Sequence, residues 1–349
     1  MVINTSAQRR IASGTGNSRG FGAALLLLLL TATTAGHAGT PYQEARPLMG
    51  TLVGVTVEGG PADVREKVDA AWREMARLSD LMNHYNPDSV VSEINRQAGQ
   101  QPVKVPPELM EVLVMARRVS GRTGGAFDIT VGAFKGWRFN PENPAMPSPQ
   151  ELAAALPLVD YRNVILDEKN RTVLLKRPGM RIDLGGIAKL YILNAGMQVL
   201  QRHGIGQAML NGGGDVVVTG THAGRPWRIG IRHPRRPGEL LATVELKRGW
   251  VVTSGDYERY FIRDGRRYHH ILDPRTGFPA AGPQQVTLVG EELSNLNGFS
   301  SAIMVLGTEK GRELLGRLAG VEALIVEPDG RVWLTPGSEA RFKLLNSGH

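Results

Sequence analysis

The densest polar cluster in the sequence is His269-His270-Ile271-Leu272-Asp273-Pro274-Arg275-Thr276-Gly277. An imidazole titrates near neutrality and suits proton transfer. Two adjacent histidines point in different directions, so at most one faces a given site. The same stretch also reads as a surface turn fixed by Asp273 and Pro274. A second segment, Asp183-Leu184-Gly185-Gly186-Ile187-Ala188-Lys189, reads as a strand that ends, two turning glycines and a helix that begins. Free N–H groups at a helix start suit a phosphate. Lys189 in the first turn could reach it, and Asp183 stands where a carboxylate could face a polyol chain or a metal. A capped corner between strand and helix is the alternative. Gly212-Gly213-Gly214-Asp215 lets backbone pass close to a ligand, or simply turns between two strands. No Gly-Lys-Ser/Thr follows, so it is not a P-loop. Thr253-Ser254-Gly255-Asp256-Tyr257 adds a hydroxyl-rich turn after an apolar strand.

These segments need a frame to hold them. Residues 46–58 alternate like a strand that opens the fold. Pro61 to Met82 has apolar residues at helical spacing, and a loop follows from His84 to Ser89. Pro107 to Thr123 is a second helix, stopped by Gly124-Gly125. Pro141 to Pro149 is a surface turn, and Gln150 to Leu156 a short helix. Val164–Leu166 and Thr172–Lys176 make a hairpin. Ile182 to Leu184 leads through the paired glycines into a long helix that ends near His203-Gly204. From Gln207 to Thr335 strands dominate, broken by helices near Ser294–Val305 and Glu309–Leu318. Helices and strands mix without strict alternation, which predicts an α+β fold with largely antiparallel sheet.

Composition narrows the classes. Residues 1–38 carry Arg9, Arg10 and Arg19, then an apolar block at Ala23–Leu30, then small residues ending at Ala38. This order is that of a cleaved export signal. The block is shorter than the roughly 20 residues a spanning helix needs. Arg9-Arg10 leaves both the general and the twin-arginine routes open. No later segment is long and apolar enough to span a bilayer. The chain has no cysteine, which excludes disulfides, thiolate catalysis and a lipoprotein anchor. The formal charge is +8, and three of those charges lie in the signal. The remaining basic residues are scattered and aromatics are 6% of the chain, which argues against nucleic acid.

In combination the segments resemble the ApbE family of FAD:protein FMN transferases along the whole of residues 39–349. The matching pieces, in the family's order, are Met49-Gly50-Thr51; Tyr85-Asn86-Pro87-Asp88-Ser89 with Ile94-Asn95; Gly125 to Thr130; Asp183 to Lys189; Asn211 to Asp215; Trp227 to Ile231; Thr253 to Tyr257; and His269 to Gly277. The resemblance implies a single domain of two joined lobes. It implies FAD as donor, a Ser or Thr hydroxyl of another protein as acceptor, and AMP as leaving group. Met49, Tyr85, Ala126, Phe127, Asp128, Asp183, Lys189 and Ile271 fall on flavin-site positions. His270 falls on the family histidine nearest the reacting phosphate, as general base or transition-state partner. Gly186, Asn297 and Ser301 fall on the positions that hold Mg²⁺. Partners implied are exported redox proteins with periplasmic FMN-binding domains, a NosR-like membrane protein among them if the chain is of the NosX branch.

The match departs from the family at the metal. Asn297 stands where an Mg²⁺-binding Asp is expected and Ser301 where Thr is expected. Mg²⁺ prefers carboxylate and phosphate oxygens. Leu190 and Asn194 replace a Gly and an Asp of the following helix, and Leu190 is expected to crowd the ligand. These changes keep two other readings in view beside the transferase, a flavin-binding relative with little activity and an FAD pyrophosphatase. A scaffold that ignores flavin would be colourless with added FAD.

Overall fold

The computed structural model describes residues 40–59 and 61–345; the expected export signal at residues 1–38 lies outside them. The single strand expected over residues 46–58 is instead a hairpin, β1 (Tyr42–Leu48) and β2 (Thr51–Val57). The chain reverses at Met49 and Gly50, with φ of 53° and 68°. Two successive left-handed residues make the turn whose twist matches a two-stranded ribbon. The apolar alternation runs on through both strands, so the pattern alone hides the reversal.

Helix α1 (Val64–Met82) buries Val68, Ala71, Trp72, Met75 and Leu78, the stripe that a 3.6-residue period places on one side. Helix α2 (Val90–Arg96), not anticipated from the pattern, is capped by Ser89, whose Oγ accepts the Ser92 N–H at 3.0 Å. After β3 (Val103–Lys104), helix α3 (Pro107–Arg122) begins with proline in its first turn, where no N–H partner is lost. Helix α4 (Pro149–Ala155) carries a reciprocal cap between Ser148 and Glu151. The expected hairpin follows as β4 (Val164–Asp167) and β5 (Thr172–Leu175). Then come α5 (Ala188–Arg202), β6 (Ala208–Gly212), β7 (Asp215–Thr219), β8 (Trp227–Arg232), β9 (Leu240–Leu246) and β10 (Arg248–Gly255). The chain closes with the hairpin β11 (Tyr260–Arg263) and β12 (Arg266–His269), then β13 (Gln285–Gly290), α6 (Phe299–Leu306), α7 (Thr308–Leu315), β14 (Glu322–Val326), β15 (Val332–Leu334) and β16 (Phe342–Leu344).

Eight strands form the central sheet in the order β1-β2-β6-β7-β10-β13-β14-β15, with every neighbouring pair antiparallel. The fold is therefore α+β with antiparallel sheet, as the sequence predicts. Both faces of this sheet are covered. Alternate residues of each strand go to opposite sides, and the core divides accordingly. Leu210, Val217, Val252, Val286, Leu288 and Ile325 join the helices in the larger apolar cluster. Met209, Val216, Val218, Val251, Val289 and Leu324 pack under the small sheet β16-β9-β8. That double burial explains runs such as Val216-Val217-Val218, which would alternate with polar residues if one face met water.

Candidate active site

The sheet registers bring the chemistry-bearing segments to one end. Gly212 pairs with Asp215, Val53 with Gly212, Val251 with Val216, and Thr253 with Thr287. The starts of β2, β7 and β13 thus lie beside the ends of β6 and β10. The Met49-Gly50 turn joins this edge. At Gly213, φ is 69° and a Cβ would stand 2.7 Å from Thr51 Oγ1, so only glycine lets the two turns touch. The glycine run is a hairpin turn, and it packs on the Met49-Gly50-Thr51 turn. Met49 is partly buried against the main core.

Lys189 Nζ meets Asp215 Oδ2 at 2.5 Å. Asp215 Oδ1 accepts the Thr253 N–H at 3.0 Å, and the residue is buried. A buried carboxylate demands such partners. The lysine that could reach a phosphate is therefore held by a carboxylate first, and it presents a compensated charge.

The segment before the Gly185-Gly186 corner is not the strand expected over Ile182–Leu184. It is extended chain held by a side chain. Asn95 Oδ1 accepts the Ile182 N–H at 2.7 Å, and Asn95 Nδ2 donates to the Ile182 carbonyl at 3.1 Å. The amide mimics a neighbouring strand, which is why no ladder is needed. Asp183 Oδ1 then accepts the Gly185 N–H at 2.7 Å and lies 3.3 Å from His84 Nδ1. His84 stacks at a tilt on Tyr85, with ring centroids 3.9 Å apart, and Tyr85 is 78% exposed. Tyr85 offers an open ring face at the rim. Helix α5 starts only at Ala188, with Ile187 as its cap. Leu190 does not crowd the site; it is buried in the main core.

Phe127 packs against the corner. A Cβ at Gly186 would lie 3.1 Å from its ring, and one at Gly298 3.3 Å. Phe127 thus touches the turns that start α5 and α6, and Ala126 is buried beside it in sequence. Asp128 serves backbone more than a ligand. Its Oδ1 accepts Thr130 N–H and O–H at 2.8 and 2.6 Å, and its Oδ2 accepts the Tyr161 N–H at 2.8 Å. Burial pushes its carboxyl up from the usual range against those bonds.

The two histidines have separate duties. His269 is buried; its Nε2 donates to the Ala280 carbonyl at 2.9 Å while its Nδ1 accepts the Ile271 N–H at 3.3 Å. That fixes one tautomer and anchors the turn, with Ile271 buried in it. His270 is half-buried, and its Nδ1 is shielded from water without a hydrogen-bond partner. Burial, then the charges of Arg259, His269 and Lys189, hold its pKa well below the ordinary imidazole value. It is neutral at pH 7 and keeps a lone pair free. The Lys189 charge reaches it, which ties the histidine to the corner at α5.

Asn297 is 1% exposed. Its Nδ2 donates to the Ile187 carbonyl at 2.9 Å and contacts Met115 Sδ at 3.2 Å. Its Oδ1 is buried with no partner. Such an orphaned oxygen is what a cation would satisfy. Ser301 Oγ lies 3.0 Å from Ser254 Oγ, which also meets Ser300 Oγ at 2.9 Å. Asn297 Oδ1, Ser301 Oγ and the exposed Gly186 backbone are oxygen donors of the kind a hard cation takes, but they are neutral throughout. Among the described residues no three His, Asp or Glu side chains gather where they could hold a metal.

The sequence matches the ApbE family over residues 49–325. The chain belongs to the ApbE family. The FAD:protein FMN transferase of Treponema pallidum is 34% identical over 325 residues, 88% of this chain and 90% of that one. The FAD:protein FMN transferase of Klebsiella pneumoniae is 33% identical, over 88% of this chain and 96% of that one. The ApbE protein of Thermotoga maritima superposes with a TM-score of 0.80 at 35% identity, covering 86% of this chain and 99% of its own. The flavin transferase ApbE of Vibrio cholerae superposes with a TM-score of 0.76 at 28% identity, covering 86% and all of its own chain.

Sequence reasoning gave no sign of how the named residues are supported. His84, Asn95, Thr253, Ser254 and Gly298 hold the named residues in place. His84 and Asn95 flank or lie in matching motifs, but their partners Asp183 and Ile182 lie 99 and 87 residues away in sequence.

Proposed function

We propose that this protein is an FAD:protein FMN transferase that attaches FMN to a Ser or Thr of an exported acceptor. The observation that carries this reading is His270, whose shielded Nδ1 is neutral and unpartnered among family-matching residues at one sheet end. In the reaction, an acceptor hydroxyl attacks the phosphorus on the FMN side of the FAD pyrophosphate. The new P–O bond forms as the bond to AMP breaks. His270 takes the hydroxyl proton on its imidazole, which suits a base that is neutral at working pH. Tyr85 offers a ring face to the flavin, Phe127 supports the corner beneath it, and Asp183, Met49 and Ile271 line its approach. Lys189 offers a charge tempered by Asp215.

Mg²⁺, when bound, neutralises the pyrophosphate charge. Gly186, Asn297 and Ser301 would hold it. Export by the N-terminal signal would place the protein in the periplasm. An acceptor with a periplasmic FMN-binding domain, of the NosR-like kind for a NosX-like transferase, would meet it there.

A second reading, a flavin-binding relative with little activity, is favoured by the absence of a carboxylate among the three metal donors. Intact mass spectrometry separates the readings. The mature protein, FAD and Mg²⁺ are mixed with a periplasmic FMN-binding-domain protein, and the acceptor is weighed. An added FMN phosphoester that disappears with His270→Ala supports the transferase. FAD bound without transfer supports the second reading. FMN and AMP released to water would mark a pyrophosphatase.

A further inference from the structure

We infer that the β11–β12 hairpin is the docking surface for the acceptor protein, and that it takes an acidic segment carrying an apolar side chain. This rests on the transferase reading, since it names where that reaction's second substrate binds. The hairpin stands apart from the central sheet as a two-stranded ribbon. Its second strand ends at His269, so it leads directly to His270.

Its tip breaks a rule of ribbon stability. Arg263 and Arg266 are directly paired across the Asp264-Gly265 turn. Like charges opposite one another repel and weaken a ribbon. Both are exposed, and neither has a carboxylate partner among the described residues. Beside them Ile262 is 61% exposed. A large apolar side chain amid unpaired guanidinium groups describes an unfinished interface.

The base of the hairpin is rigid where the tip is bare. Phe261 stacks on Tyr268 at 5.2 Å and 12°, and Phe139 and Trp137 extend the stack from the preceding loop. Arg266 lies 5.2 Å over the Tyr268 ring, and Arg267 3.7 Å over Tyr260. Stacking fixes both guanidinium groups, and the exposed Arg266 keeps an edge free to take a carboxylate side-on. A pre-positioned arginine fork loses little entropy when it binds. The complementary surface is therefore acidic, and its position beside His270 is that of the protein delivering the hydroxyl.

The test uses the full mature chain with a periplasmic FMN-binding-domain protein as probe. Arg263→Glu with Arg266→Glu is compared with Arg263→Lys with Arg266→Lys, and thermal melts check folding. The Glu pair should raise the KM for the acceptor at least tenfold and flatten its salt dependence, while FAD affinity by fluorescence stays unchanged. The Lys pair should retain most acceptor binding. Ile262→Ser should also raise the acceptor KM. An unchanged acceptor KM in the Glu pair, with transfer intact, overturns the proposal. So does arginine-dependent binding to phosphatidylglycerol vesicles with unchanged acceptor KM. Direct binding is measured alongside by anisotropy. Arginine-dependent binding without FMN transfer in the wild type would sink the transferase reading and leave the docking surface standing. Neither binding nor transfer would overturn both.

Discussion

Asn297 turns its amide nitrogen to the Ile187 carbonyl at 2.9 Å and leaves its own oxygen buried and unpaired. An aspartate in this place would set a negative oxygen against that carbonyl, tolerable only with a cation between them. The asparagine avoids that clash, because its amide N–H meets the carbonyl whether or not a cation sits at its oxygen. We therefore expect the wild-type protein to show little Mg²⁺ binding without FAD, because three neutral donors hold Mg²⁺ poorly until phosphate oxygens join them. Asn297→Asp should create FAD-independent binding and a Tm that rises with Mg²⁺. Calorimetric titration and thermal melts in the absence of FAD read this. An equal response from both proteins would count against it.

His270 predicts a pH profile. Its folded-state pKa lies below the ordinary value of about 6.5. The active base is the neutral form, so kcat/KM should stay level as pH falls from 8 through 6.5. It should drop only where the depressed pKa is reached. A profile with its midpoint at or above 6.5 would contradict the assignment.

The same shift bears on stability. The unfolded chain takes up a proton at His270 and His269 near pH 6.5, before the folded chain does. Stability is then lost as pH falls below about 6.5 and levels off once the folded histidines protonate. The urea midpoint should decline over that window, and His269→Gln should reduce the decline. A midpoint that rises on acidification would refute this.

Lys189 and Asp215 form a pair with unequal exposure, and the carboxylate is the buried member. Removing the cation strands it. Lys189→Met should cost about 3 kcal/mol by urea denaturation. Asp215→Asn should cost less, because its amide oxygen can still accept from Thr253. Equal losses in the two variants would show that the stranded charge is not what matters.

Asn95 supports the corner from outside the site. Asn95→Ala would leave the buried N–H and carbonyl of Ile182 without partners, at about 3 kcal/mol. FAD affinity should fall with it, because Asp183 and Gly185 hang from that segment. A variant with lost stability and unchanged FAD affinity would separate the clamp from the site.

What the sequence made legible follows its physics. Helical periodicity located α1 and α3, and turn residues located the β4–β5 hairpin. Alternation could not show the Met49-Gly50 reversal, because it continues on both sides of the turn. The strand expected at Ile182–Leu184 failed because the Asn95 amide and the Ile129 carbonyl satisfy the backbone without a ladder. Motif resemblance pointed to Lys189, His270 and Asn297, yet it could not show that Lys189 is engaged by Asp215 or that Leu190 faces the core. Residue types alone could not say which histidine was free. That depended on Ala280, which reaches His269 only in the folded chain.

The sheet order carries a last consequence. Its reactive end draws on residues from Met49 to Ser301, and β2 pairs with β6 only after some 150 residues have intervened. Such distant pairings form late and slowly. No partial chain lacking the later strands could assemble a place for FAD, so flavin capture reports that the fold is complete as far as Ser301.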